Sequence, residues 1–305
     1  MGKQQSHKRS WTDFWADNAA QGGGGCLPSK WLAIDRVQGR IWKDFAERLP
    51  RRPRLLDLAT GDGRVMRWIL EARRDARPVG VDLASTLPPP PAGAKIRTGV
   101  AMEELPFPAA GFAAVTSQFG FEYGETEQVA AEAARVLAAD GEVALMTHRI
   151  DGPILAHNRA RRDAIRWAVE HKQLIELARQ SLSLRAAGIT TIPPAVAAAP
   201  EEGTRLFGKG SAAWEIAEAI RQTLVLGRND SPAQVARLIE AIAAKARNEL
   251  GRIDSLEAAC ETTADDIAFR EAIAAAGLEQ NEIEPLAAGE DQPPFADFRT
   301  FVRAA

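Results

Sequence analysis

Apolar positions along this chain change period several times, and each change marks an element. Leu55, Leu56 and Leu58 form a short apolar run that meets Ala59-Thr60-Gly61-Asp62-Gly63, after which Val65, Met66, Trp68 and Ile69 recur at helical spacing. Strand, tight loop and helix are predicted over 54–70. Apolar runs at 78–83, 94–101 and 142–148 predict further strands, and 112–123 reads as a strand with the loop that leaves it. A helix pattern over 125–139 is stopped by Gly141. Residues 11–50 read as helices on either side of Gly22-Gly23-Gly24-Gly25, with Trp11, Phe14 and Trp15 before it and Trp31, Leu32, Ile34, Val37, Ile41, Trp42 and Phe45 after it. That glycine run is either a flexible linker or the hinge of a lid. From about 151 the pattern becomes charged, alanine-rich helix over 158–184, 214–226 and 231–250, the last opened by Ser231-Pro232. A capped amphipathic helix over 263–278 ends at Gly277, and strands are expected at 282–287 and 295–302.

Glycines at a strand-to-helix turn let the backbone take positive φ and leave room for a ligand against bare main chain. The helix that follows directs unpaired N–H groups into the turn. A dinucleotide fingerprint needs a third glycine where Met66 stands, which argues against a nicotinamide cofactor. Asp82 closes the next strand, 19 residues beyond Gly63, where a carboxylate can accept hydrogen bonds from two ribose hydroxyls. Gln118 to Tyr123 follow the strand at 112–118, at the carboxyl edge where open α/β sheets bind ligands.

The run Leu56-Asp57-Leu58-Ala59-Thr60-Gly61-Asp62-Gly63 resembles motif I of the class I S-adenosylmethionine-dependent methyltransferases, with a core like that of methyltransferase type 11. Met102-Glu103-Glu104-Leu105-Pro106-Phe107-Pro108 resembles the family's segment after the third strand, and Arg135-Val136-Leu137 before a glycine turn resembles its helix before strand five. The similarity covers 54–149, and the helix at 263–278 resembles the one before the family's last two strands. The resemblance implies an α/β fold: a Rossmann-like seven-stranded sheet with helices on both faces, its last strand antiparallel, plus a helical insertion or cap. The chain then divides into an N-terminal helical lid (1–50), a cofactor-binding core (51–150), a helical insertion (151–260) and a return to the core (261–305). S-adenosyl-L-methionine is the implied cofactor, held by Asp57, Ala59, Thr60, Gly61, Gly63, Asp82, Leu83, Met102, Glu103, Gln118 and Phe119. Two positions depart from the family: Ala101 stands where many members have an acid toward the adenine, and Ala113 where many have Asp.

Composition narrows the partners. A net charge of -3 over 305 residues gives no general field for nucleic acid. The insertion is balanced, with 15 Lys and Arg against 14 Asp and Glu over 151–263. Cys26 and Cys260 make neither a disulfide framework nor a metal spacing, and His7, His148, His157 and His171 have no ligand spacing, so no metal is expected. With no apolar run of membrane length and a polar start, a cytoplasmic protein without membrane attachment is expected. Gly203 to Gly210 misses a phosphate-binding loop because Gly210 follows Lys209 where Ser or Thr is required. Arg159, Arg162 and Arg166 share a helical face, either solvated or set to bind an anionic group of the acceptor.

The activity expected is methyl transfer to a small-molecule acceptor by in-line displacement, in which alignment and exclusion of water do much of the work. A base is needed where the acceptor must lose a proton; His148 is the first candidate, followed by Glu122 and Tyr123. Two rivals stay open: a catalytically silent cofactor-binding or interaction protein, and a methyltransferase acting on a macromolecule. The oligomeric state is also open, with a homodimer among the options.

Overall fold

The computed structural model describes residues 11–16, 31–185 and 188–304. They form two compact units: the described residues up to Leu155 together with those from Ser255 onward, and Ala156–Asp254. Residues 11–16 are helical. The helices that follow are α1 (Leu32–Arg48), α2 (Arg64–Ala72), α3 (Thr126–Val136), α4 (Pro153–Arg166), α5 (Leu174–Arg185), α6 (Pro194–Phe207), α7 (Ala212–Leu226), α8 (Pro232–Ala264) and α9 (Asp266–Ala274).

The first unit contains one sheet of β1 (Arg54–Leu58), β2 (Arg77–Asp82), β3 (Lys95–Thr98), β4 (Phe112–Gln118), β5 (Leu137–His148), β6 (Leu278–Ala287) and β7 (Pro294–Arg303). Its order is β3-β2-β1-β4-β5-β7-β6. The first five strands are parallel, and β7 enters antiparallel between β5 and β6. Strand order reverses at β1, so a crevice opens beyond the carboxyl ends of β1 and β4. This is the seven-stranded α/β sheet that the apolar pattern and the resemblance implied.

Both sheet faces are covered because neighbouring strand residues point to opposite sides. Leu55 packs with Trp42 and Phe45 of α1 and Trp68 and Ile69 of α2. The adjacent Leu56 packs with Val129 and Ala133 of α3 and Phe269 and Ile273 of α9. Full burial of one such side chain, as for Phe45, stabilises by roughly 2–3 kcal/mol.

Several boundaries differ from the sequence expectation. The helix expected to reach 139 ends at Val136, and β5 starts at Leu137, which pairs with Phe112 before the register shifts to Ala114 and Glu142. Gly141 lies within that strand, where a Cβ would sit 2.7 Å from Leu137 Cδ1, so the glycine serves close packing inside the strand. The helix expected over 158–184 is interrupted by a π-helical turn, Trp167–His171, and by Gln173 at φ 50°. The helix expected over 231–250 runs on to Ala264, and Asp265 then caps α9 by accepting from Ala268 N–H. Residues 194–207, with no helix expected, form α6: Pro194 sits in its first turn, and Gly203 lets α7 approach, since a Cβ there would lie 3.2 Å from Trp214 N. Gly203 is thus a helix-packing residue, and the run to Gly210 is not a phosphate loop.

The second unit has its own core, which includes Ile165, Ala178, Val196, Ala217, Ile220, Val235 and Ile239. Arg161 joins Glu215 and Glu249 within it, and Arg162 of the basic row lies 3.6 Å from Asp254. Among the described residues no helix is long and apolar enough to cross a membrane.

Candidate functional site

The loop leaving β1 is held in a left-handed course, with Ala59 at φ 50°, Gly61 at 53° and Gly63 at 72°. Asp57, at the buried end of β1, fixes its start by accepting from Thr60 Oγ1 at 2.5 Å and from Thr116 Oγ1 of β4 at 2.8 Å. Burial pushes the Asp57 carboxyl up to about 7; the two hydroxyl bonds oppose the rise, and Asp62 and Asp82 add to it. Gly80 of β2 makes room for the Thr60 side chain, because a Cβ there would lie 2.6 Å from it. Asp82 ends β2 and ties the loop down: one oxygen accepts from Gly61 N–H at 3.0 Å and the other from Ala84 N–H at 2.8 Å. Burial also raises the Asp82 carboxyl, opposed by those same amides. Asp57 therefore organises the loop from beneath, while Asp82 stands at the edge.

At the ends of β4 and β5 a second group assembles. Phe119 takes φ 55°, donates its N–H to Met146 O at 2.8 Å and stacks on the His148 ring with centroids 4.1 Å apart. A bulky residue in this region is strained and marks a candidate functional turn. Ser117 Oγ accepts from Phe121 N–H and donates to Leu58 O, joining the turn to β1. The next turn, Phe121–Tyr123, buries Glu122 against His148. Glu122 Oε1 accepts from His148 N–H at 2.9 Å and lies 2.8 Å from His148 Nδ1. Glu122 Oε2 is buried, with no hydrogen-bond partner among the described residues. A carboxylate only accepts, so the nitrogen that faces it, Nδ1, is the donor of this pair, which leaves Nε2 as the ring's other nitrogen. The Tyr123 ring lies 6.0 Å from that of His148.

Other sequence candidates take different positions. Gln118 Oε1 accepts from Trp42 Nε1 at 2.6 Å and its Nε2 faces Gln38 Oε1 at 3.4 Å, so this side chain is engaged with α1. Glu103 Oε1 accepts from Glu125 N–H at the start of α3, while Gly124 leaves room for Met102 and Glu103. Leu83 follows Asp82 and is half-buried. Gly22–Gly25, Cys26 and His7 lie outside the described residues. No group of three or more His, Cys, Asp or Glu could hold a metal ion among the described residues.

Residues 11–16 belong to the same edge. Thr12 Oγ1 accepts from Ser85 N–H, just past β2, at 3.1 Å. The Trp11 ring meets that of Tyr123 edge-on at 5.9 Å, and Phe14 stands between Trp11 and Trp15 at 5.7 and 5.0 Å. Trp15 is 6% exposed and lies directly on Gly61, where a Cβ would come within 2.3 Å of its ring.

Thr116, Ser117, Gln38 and Thr263 were not singled out from the sequence. Thr263 Oγ1 donates to His148 O at 2.8 Å and so positions the end of β5. The readable signal was polarity out of place: Thr116 and Ser117 sit inside an apolar strand, and Gln38 lies on the apolar face of α1.

Residues 56–145 match the family model described as a methyltransferase domain. Over those residues this chain is similar to that domain. A search of curated proteins gave no match. Among solved structures, the YcgJ protein of Bacillus subtilis is similar at 20% identity and TM-score 0.32, over 42% of this chain and 58% of that one. A chain from the Haloferax volcanii complex containing the Trm112 methyltransferase activator is 14% identical with TM-score 0.47, over 97% and 98% of the two chains. Geranyl diphosphate C-methyltransferase of Streptomyces coelicolor A3(2), solved with geranyl diphosphate and S-adenosyl-L-homocysteine, is 17% identical with TM-score 0.33, over 38% and 46%. This chain thus spans less than two thirds of YcgJ and of the geranyl diphosphate enzyme.

The donor and acceptor set of the crevice selects among ligands. The loop amides turn inward: Thr60 N–H donates to Val81 O, Gly61 N–H to Asp82 and Gly63 N–H to Thr60 O. They are thereby withdrawn from a pyrophosphate. Asp82 retains lone pairs beyond the two in use, while the Asp62 carboxylate beside it is paired with Arg64 at 3.0 Å. Such a site fits a ligand that brings hydroxyl donors.

Proposed function

We propose that this chain is an S-adenosylmethionine-dependent methyltransferase that acts on a small-molecule acceptor bearing a removable proton. The single observation that carries this reading is the buried Glu122–His148 pair, 2.8 Å apart, at the same sheet edge as the Asp82-tethered glycine loop. S-adenosyl-L-methionine has two ribose hydroxyls and no phosphate, which matches a cradle that offers the Asp82 carboxylate and turns its loop amides inward. Asp82 would hold the ribose hydroxyls, with Gly61, Gly63 and Ala59 giving main-chain surface at the amino acid end; Asp57 and Thr60 keep the loop in place. Leu83, just after β2, and Met102 and Glu103, which follow β3, would flank the adenine, although Glu103 already serves the start of α3. Gln118 acts through α1, while Phe119 faces the reaction centre.

When bound, the cofactor supplies an electrophilic methyl group. The protein's own residues place the acceptor, keep water out and take its proton. His148 Nε2 accepts that proton, and the Glu122 carboxylate balances the imidazolium that results. Phe119 fixes the ring by stacking, and Tyr123, its ring 6.0 Å from that of His148, would stand beside the acceptor.

Calorimetric titration with S-adenosylhomocysteine, with Asp82→Ala as the control, tests the cofactor site. Binding that is lost in the variant is the expected result. Acceptor use is read by release of S-adenosylhomocysteine across phenols, carboxylic acids, amines and thiols. His148→Gln should lower kcat about 10²–10⁴-fold while cofactor affinity stays within about twofold. Undiminished turnover in that variant removes His148 from the chemistry.

A further inference from the structure

Thr12, Trp15 and Trp11 touch three successive turns of the sheet edge. These are the turn after β2 at Ser85, the loop after β1 at Gly61 and the turn after β4 at Tyr123. A ligand reaching from Asp82 across the glycine loop toward His148 would need the same three turns. Gly61 leaves no room for both occupants, because the Trp15 ring already sits closer to it than a single added methyl group would tolerate. From these contacts we infer that residues 11–16 form an intramolecular plug, with Trp15 seated in the cofactor cradle, so that cofactor enters only as this segment leaves. The inference rests on the cofactor reading above.

The physical character of the segment suits such a role. Residues 11–16 are held on the sheet edge through their side chains. Those contacts include aromatic packing and a hydroxyl-to-amide bond, both of which a ligand with its own rings and hydroxyls can replace. With the plug in place Asp82 keeps the bonds to its own amides, so the loop stays formed and ready for a ligand. Apparent affinity equals intrinsic affinity reduced by the unplugged fraction, so a plug that is mostly closed sets the concentration at which cofactor loads.

The test is titration of S-adenosylhomocysteine into the full chain, Trp15→Ala, Thr12→Val and the double variant Trp15→Ala with Asp82→Ala. Binding about tenfold tighter in Trp15→Ala, a smaller gain in Thr12→Val and loss in the double variant are expected. A second readout compares tryptophan emission of the full chain with Trp15→Phe. The difference between them, which isolates Trp15, should move to longer wavelength as ligand displaces the ring. Unchanged or weaker affinity in Trp15→Ala, with binding intact in the full chain, overturns the plug and leaves the cofactor reading standing. Absence of binding in every variant, Trp15→Ala included, overturns the cofactor reading and the plug with it.

Discussion

Asp57 gives the clearest consequence at the residue scale, because its carboxyl titrates differently in the folded and unfolded chain. Its value is about 7 when folded, against an ordinary aspartate value of 3.8, so between these limits the folded state binds the extra proton. The stabilisation is fully present below about 4 and is lost as pH rises toward 7, with a ceiling of roughly 4 kcal/mol. Chemical denaturation of Asp57→Asn at pH 4.5 and pH 7.5 should show less loss with rising pH than the parent shows. Glu122 offers a complementary test: Glu122→Gln keeps an oxygen for His148 N–H but removes the charge that favours an imidazolium. Its kcat should fall by about 10²-fold or more, with little change in calorimetric affinity for S-adenosylhomocysteine. His148, Glu122 and Tyr123 were legible in the sequence as residues at strand ends. Their pairing was not, because the turn at 121–123 that folds Glu122 back onto β5 depends on Ser117 holding Phe121 N–H.

Elements carry the loop as much as the loop residues do. Gly80→Ala would drive a methyl group to 2.6 Å from Thr60, so β2 and the glycine loop could no longer close together. A loss of about 1–3 kcal/mol in thermal unfolding is expected, with weaker S-adenosylhomocysteine binding than the loss of stability alone accounts for. The cap at Asp265 separates two helices that the sequence ran together differently; Asp265→Ala should lower stability by about 1 kcal/mol through the unmet Ala268 N–H. Strands β1, β2 and β4 were legible because their apolar runs are short and end at glycine or an acid. The starts of β5 and β6 were not, because Leu137 to Gly141 and Leu278 to Asn281 are mixed in polarity and are strands only through pairing with Phe112 and β7. Helix α6 escaped notice because Pro194, Pro200 and Gly203 are helix breakers by propensity; the first occupies the permitted first turn, and Gly203 is used for packing.

Across the whole molecule, the residues of the proposed site all lie in the first unit, so ligand binding adds its free energy to that unit. At S-adenosylhomocysteine about 100-fold above Kd, the gain is about 2.7 kcal/mol. Scanning calorimetry should then show the transition of that unit raised by roughly 5–10 °C, and unmoved in Asp82→Ala. The alternation of strand and helix together with the family resemblance implied the sheet, and the strand order of the structure places its switch point between β1 and β4. The division at 156–254 was less legible, because α4 and α8 both run across its limits without a break in pattern. One small contact has a consequence over generations rather than within one molecule. A Cβ on Gly120 would lie 2.4 Å from Ala59 Cβ, so the side chain at one turn is matched by a missing side chain at the other. Ala59 also pays for its left-handed backbone, whereas glycine there would be relaxed. Glycine at position 59 would lift the closest of the contacts that bar a side chain at 120 and leave Ser117 Oγ at 3.1 Å, so a side chain at 120 should be found only in descendants that carry Gly at 59.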